Sequence, residues 1–66
     1  MPTGTVKFYK DYMGYGFIIS DYDGKEIFVH HTEINTANKI LKEGQKVEFK
    51  IKESPKGLSA VKVNLI

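Results

Sequence analysis

The sequence predicts an all-β fold, a small five-stranded antiparallel barrel, and three observations carry that reading. Short segments of alternating apolar and polar residues recur along the chain, separated by Gly-, Pro- and Asp-containing turns. Glycines interrupt the second segment at Gly14 and Gly16, which marks strong curvature. With 66 residues and 7.5 kDa there is material for one domain, spanning residues 1–66, and one core. A chain of this size buries only roughly 60% of its unfolded surface, so barrel closure, which removes exposed edges, is favoured over an open sheet or sandwich.

The first strand is expected over Gly4–Lys10, where Val6 and Phe8 share one parity and Lys7 and Tyr9 the other. Parity alone does not decide which pair faces inward. Asp11 and Tyr12 lead to Met13-Gly14, a connection short enough to make the first two strands antiparallel neighbours. The stretch Met13–His31 reads as a hairpin: MGYGFIIS, the turn region DYDGKE with Asp23-Gly24 as a tight-turn dipeptide, and IFVHH. Successive side chains of a strand point to opposite faces. Ile18, Ile27 and Val29 therefore form an aliphatic face, while Tyr15, Phe17, Phe28 and His30 share the other with Glu26. So short a chain has little left to cover both faces. The aliphatic face is expected inside and the aromatic one on the surface.

Thr32–Gly44 is the longest irregular piece, read as a loop pinned by Ile34 and Leu41. Thr36 could cap a turn of helix there, marginal without packing. Gln45–Lys52 alternates cleanly, placing Val47, Phe49 and Ile51 on one face. Ser54-Pro55-Lys56-Gly57 has the residues of a type I turn, and Leu58–Leu65 returns as the fifth strand with Val61, Val63 and Leu65 in phase.

Composition narrows the function classes. Cysteine is absent, so no disulfide or thiolate metal site can brace the fold, and the composition fits a reducing cytoplasm. No apolar run approaches the roughly 18 residues of a membrane span, and the N-terminus lacks a secretion-signal pattern, so a cytoplasmic location is expected. The net charge of +2 and pI near 8.9 permit a polyanionic partner without demanding one. All ten basic residues are Lys, which removes bidentate base-edge reading by Arg. No nucleophile with a base partner and no phosphate-cradling loop before a helix is evident, so no enzymatic activity and no cofactor are expected. His30-His31 would point to opposite faces of a strand and has no Cys to complete a zinc set; Asp21, Asp23 and Glu26 lack calcium-loop spacing. No metal is expected.

Over essentially its whole length the chain resembles the bacterial-type cold-shock domain. Gly14-Tyr15-Gly16-Phe17-Ile18 is similar to that family's first ribonucleoprotein motif, a Lys-Gly-Phe-Gly-Phe-Ile type of run, and Ile27-Phe28-Val29-His30-His31 to its second, Val-Phe-Val-His-Phe. Gly4-Thr5-Val6-Lys7-Phe8-Tyr9 matches its opening, and Glu43-Gly44-Gln45 and Lys56-Gly57 its later turns. The resemblance implies a barrel of the oligonucleotide-binding (OB) type, acting as a monomer, that binds single-stranded RNA or DNA with modest sequence preference and loosens RNA secondary structure. It implies base stacking on Phe8, Tyr15, Phe17, Phe28, His30 and His31, bordered by Lys7, Lys10 and Lys56.

Departures from the family pattern qualify this. Phe8 replaces the usual Trp, Met13 stands where Lys is common, and His31 replaces an aromatic hydrocarbon and adds a group of a kind that titrates near neutral pH. No aromatic occurs over Asn35–Lys42, where the family often carries one. Weaker or shorter-footprint binding than the family norm is expected. Taken singly, Phe8, Phe17 and Phe28 would be ordinary core residues and the lysines solubilising ones; their clustering opposite an aliphatic face is what favours a site. The alternative is a small barrel that binds a proline-rich or extended peptide on the same aromatics, which the lysine border argues against.

Overall fold

The computed structural model describes residues 2–36 and 39–66. Five strands, β1 (Thr3–Lys10), β2 (Tyr15–Ser20), β3 (Glu26–His30), β4 (Lys46–Ser54) and β5 (Gly57–Leu65), close into a barrel in the order β1-β2-β3-β5-β4, with β4 returning to β1. Four of the seams are antiparallel, as the sequence predicts, and the fifth, between β3 and β5, is parallel. Parity requires this: strands that alternate in direction cannot all be antiparallel when an odd number close on themselves.

The interior is aliphatic apart from one ring. Val6, Ile18, Ile27, Val29, Ile34, Leu41, Val47, Phe49, Ala60 and Val63 form a single buried cluster, with Phe49 its largest side chain. Ile18, Ile27 and Val29 thus face inward as the alternation requires. In so small a domain each such side chain, worth about 1.5–3 kcal/mol on full burial, is a large share of the total.

Two irregularities alter the simple alternation. On β1, Val6 pairs with Ile18 and Phe8 with Phe17, so Lys7 is an extra residue in a bulge. Val6 consequently points into the core while Phe8, of the same parity, turns outward and Tyr9 packs against the core. On β5 the pairings Glu48 with Asn64 and Lys50 with Val61 leave another extra residue, and Lys62 there has a φ of 53°. Ala60 and Val63, three apart, are both buried as a result, whereas Val61 is only half-buried and Leu65 is exposed. The expected in-phase trio Val61, Val63 and Leu65 therefore contributes only Val63 to the core. Ile51 is likewise exposed; it lies beyond Glu48, the last residue of β4 to pair with β1.

Connections follow the turn residues. Met13 and Gly14 both donate to the Lys10 carbonyl (3.0 and 2.9 Å), closing the β1–β2 loop with Gly14 at φ 75°. The β2–β3 loop is longer than a two-residue turn: Gly24, at φ 73°, donates to Ser20, and Ser20 donates to Lys25. Pro55-Lys56 joins Ser54 to Gly57 where expected. After β3 a short 3₁₀ turn, His31–Glu33, leads to Ile34, which bridges to Val63. Ile34 and Leu41 are buried and pin the long loop as predicted. No α-helix occurs among the described residues, and the part of the Thr36 helix expectation that falls on residues 37 and 38 lies outside them. At the N-terminal end of β1, Asp21 accepts from Lys46 Nζ (2.8 and 2.9 Å) and Thr3 Oγ1 (2.9 Å), clasping the β2–β3 loop to β1 and β4.

Candidate nucleic-acid interface

The outer surface of β1, β2 and β3 carries a two-row grid of side chains set by strand register. Phe8 pairs with Phe17 and Phe17 with Phe28, so three phenyl rings lie side by side across three strands. Lys10 pairs with Tyr15 and Tyr15 with His30 to form the second row, two residues along each strand and hence on the same face. Ring centroids are 5.4 Å apart for Phe8–Phe17, 5.8 Å for Phe17–Phe28 and 5.6 Å for Tyr15–Phe28, with tilted, edge-on and near-parallel planes respectively. These spacings are those of mutually attractive aromatic pairs, so the rings hold one another in place. Phe8, Tyr15, Phe17 and Phe28 are half-buried and His30 is exposed, each offering ring surface to solvent.

The bulge at Lys7 is what brings Phe8 into this row, and Gly16 is what lets β1 and β2 approach there. A Cβ at Gly16 would collide with the Phe8 carbonyl oxygen and sit 2.8 Å from Tyr9 Cα. The close approach of backbone at this glycine is thus between the two strands that carry the platform.

His31 does not take the place expected for a strand residue. The chain leaves β3 after His30 and turns into the 3₁₀ segment, so the two imidazoles lie 4.4 Å apart instead of on opposite faces. Thr32 orients His30, with its hydroxyl 2.9 Å from Nδ1 and its amide donating to the same nitrogen at 3.4 Å. His31 is seated on Gly14, where a Cβ would be 2.8 Å from its Cδ2, and its amide donates to the Gly14 carbonyl at 2.9 Å. Among the described residues, no group of three or more His, Cys, Asp or Glu side chains could hold a metal ion.

The three lysines differ. Lys10 Nζ lies 5.9 Å from the Phe8 centroid, within cation–π range. Lys56 borders a groove of about 570 Å³ that is also lined by Phe17, Phe28 and Glu26. Lys7, turned outward by the bulge, is ion-paired with Glu26. The groove continues past Phe28, Ser54 and Ser59 into a second depression lined by His30, Thr32 and Lys52. Sequence reading did not single out Ser54, Ser59 or Lys52, because the parallel β3–β5 seam that pairs Ser59 with Phe28, and so brings the end of β4 to the groove, is a product of barrel closure and has no local signal.

Tyr9 lies behind this surface. Its hydroxyl donates to the Lys39 carbonyl at 3.1 Å. Burial, with the Asp11 charge as a lesser cause, pushes its phenol above the ordinary value, which keeps it a donor.

No helix among the described residues is long and apolar enough to cross a membrane. Residues 2–66 match the family model for the 'Cold-shock' DNA-binding domain. Cold shock-like protein CspA of Stigmatella aurantiaca is 49% identical over 67 residues, covering 100% of this chain and 98% of that protein. Probable cold shock protein A of Mycobacterium tuberculosis is 48% identical over 64 residues, covering 96% of each. Among solved structures, drosophila Unr CSD456 superposes with a TM-score of 0.81 over 98% of this chain and 26% of that one; at 23% identity this likeness is one of fold. With an OB-like barrel, both ribonucleoprotein-type motifs on adjacent strands and relatives matched end to end, the chain belongs to the cold-shock domain family, a family of nucleic-acid-binding proteins.

Proposed function

We propose that this chain binds single-stranded RNA or DNA by stacking bases on Phe8, Tyr15, Phe17, Phe28, His30 and His31, with Lys7, Lys10 and Lys56 meeting the backbone, and that it thereby loosens RNA secondary structure without ATP. The observation that carries the reading is the in-register aromatic grid on the outside of a sheet whose other face packs on the buried hydrophobic core. These rings are not needed to close the interior, yet they are packed against one another. Their geometry is set before a ligand arrives, so little ordering entropy opposes binding. Stacking contributes about 1–3 kcal/mol per base and accepts any base, because each has a π-face.

Charge plays the smaller part. Lys7 must exchange Glu26 for a phosphate, or leave Glu26 to accept from a base edge, and Met13 offers no charge to a backbone. Melting follows from mass action: a protein that binds only the open strand displaces the hairpin equilibrium by its affinity and concentration.

Anisotropy titrations of labelled oligo(dT) and of a proline-rich peptide test the reading, together with a fluorophore–quencher RNA hairpin without nucleotide. Saturable binding to single strands of roughly six nucleotides, no binding of the peptide, and protein-dependent opening of the hairpin are expected. Absence of saturable single-strand binding would refute it.

A further inference from the structure

Beyond the aromatic grid, the β1–β2 loop and the connection before β4 expose apolar side chains that the core does not use. Tyr12 is 78% exposed, Met13 49% and Ile40 39%. They are not scattered: with His31, Gly14 and Asp11 they line one depression of about 490 Å³. That volume is within the range of small-ligand sites, about 300–1,000 Å³. Its lining is mixed: the exposed side chains of Tyr12, Met13 and Ile40 share it with the polar groups of Asp11 and His31.

The depression is built from fixed parts. Gly14, at φ 75°, closes the β1–β2 loop and carries the His31 ring. On the opposite wall Ile40 is held between buried Leu41 and Lys39, whose carbonyl accepts from the Tyr9 hydroxyl. Loop and wall are therefore tied to β1 independently of any ligand.

We propose that this depression seats one further nucleobase of the strand bound on the aromatic grid, stacked on Tyr12 and resting on Met13 and Ile40. The inference rests on the function proposed above. Continuity identifies the occupant: His31 lines the depression and its ring lies 4.4 Å from that of His30, so a strand leaving the grid over the two imidazoles runs into it. Chemistry identifies which part of the nucleotide enters. Asp11 at the rim repels phosphate, whereas a phenol ring, a thioether and a branched alkyl chain suit the flat face of a base. Met13 thus does more than subtract a charge, and Tyr12 supplies a ring that Asn35–Lys42 lacks.

Affinity for oligo(dT) of stepwise increasing length, measured for the wild type, Tyr12→Ala and Phe17→Ala, tests this. Tyr12 is too exposed for its truncation to threaten the fold. The wild type is expected to gain affinity on addition of the nucleotide that reaches the loop, and Tyr12→Ala to lose that step, by about fivefold or more, while binding shorter strands like the wild type. Phe17→Ala is expected to weaken every length. Amide NMR shifts at Tyr12, Met13 and Ile40 should respond only to strands long enough to show the step. Identical length profiles for wild type and Tyr12→Ala, with binding otherwise intact, overturn the extra seat alone. Failure of the wild type to bind any length overturns the platform, and the seat with it.

Discussion

Phe28→Ala separates a binding surface from a core. Phe28 is the hub of the grid: it meets Phe17 at 5.8 Å and Tyr15 at 5.6 Å and lines both grooves beside β5. Truncation removes one stacking surface, worth about 1–3 kcal/mol of affinity, or roughly 5- to 150-fold in Kd. It also removes two aromatic pairs at about 0.5–1.5 kcal/mol each. Because the ring is half-buried and water can fill the space it leaves, the stability loss should stay near about 1–2 kcal/mol, below the about 3–5 kcal/mol of a buried Phe→Ala change. Phe49 is fully buried and supplies that comparison within the same barrel. The assay pairs urea denaturation with anisotropy titration of oligo(dT), for Phe28→Ala and for Phe49→Ala at a temperature where the latter remains folded. The expected result is a large binding defect with modest destabilisation for Phe28→Ala, and the reverse for Phe49→Ala. Equal destabilisation by the two, or unchanged binding by Phe28→Ala, would refute the assignment of the aromatic face to ligand.

The electrostatic share of binding should be small: with Lys10 and Lys56 meeting phosphates, log affinity should fall against log salt with a slope of about −1.4, reaching about −2.1 if Lys7 joins them. Glu26→Gln, which frees Lys7, should steepen the slope by about 0.7, and a wild-type slope beyond about −4 would show that charge dominates after all. Gly16→Ala should destabilise by about 1–3 kcal/mol in urea unfolding and weaken oligo(dT) binding, since its Cβ forces β1 from β2 between Phe8 and Phe17. Hydrogen bonds from Lys46 and then Thr3 hold the Asp21 carboxyl below the ordinary carboxylate value. A folded-state value below the unfolded one stabilises at pH above the unfolded pKa and is lost as pH falls through the folded one. The stability gap between wild type and Asp21→Asn should therefore be full above about pH 4 and close at more acidic pH in denaturation curves.

What could be read from the sequence was whatever a period of two encodes. Ile18, Ile27 and Val29 fell inside, and Tyr15, Phe17, Phe28 and His30 came together outside, because β2 and β3 pair without a bulge. Parity alone could not place Phe8, which only the family resemblance set among the stacking rings, since Lys7 shifts the phase of β1 and leaves no sign of it in the order of residues. The same cause misled the reading of β5, where the extra residue near Lys62 moves the core from Val61 to Ala60. His31 escaped because a strand that ends one residue early converts opposite faces into neighbouring rings. Ser54, Ser59 and the Lys7–Glu26 pair depend on contacts between distant segments, which no local pattern reports.

The energetics of such a surface set what it can unfold. Opening one stacked pair in a duplex costs on the order of 1.4 kcal/mol per step. A base laid on one of the rings returns about 1–3 kcal/mol, so the exchange is near balance at each position. Beyond Lys10 and Lys56 little charge tips it here, because Lys7 is paired with Glu26 and the loop position at Met13 is uncharged. On the function proposed above, a short or mismatched stem, already close to open, should be pulled over by the protein, and a long duplex, whose cost accumulates with each added pair, should not. The same near balance should let the strand leave again, since a single ring at about 1–3 kcal/mol is too weak to make release slow. A surface of rings with little net charge thus suits transient opening of weak structure better than tight capture of one sequence.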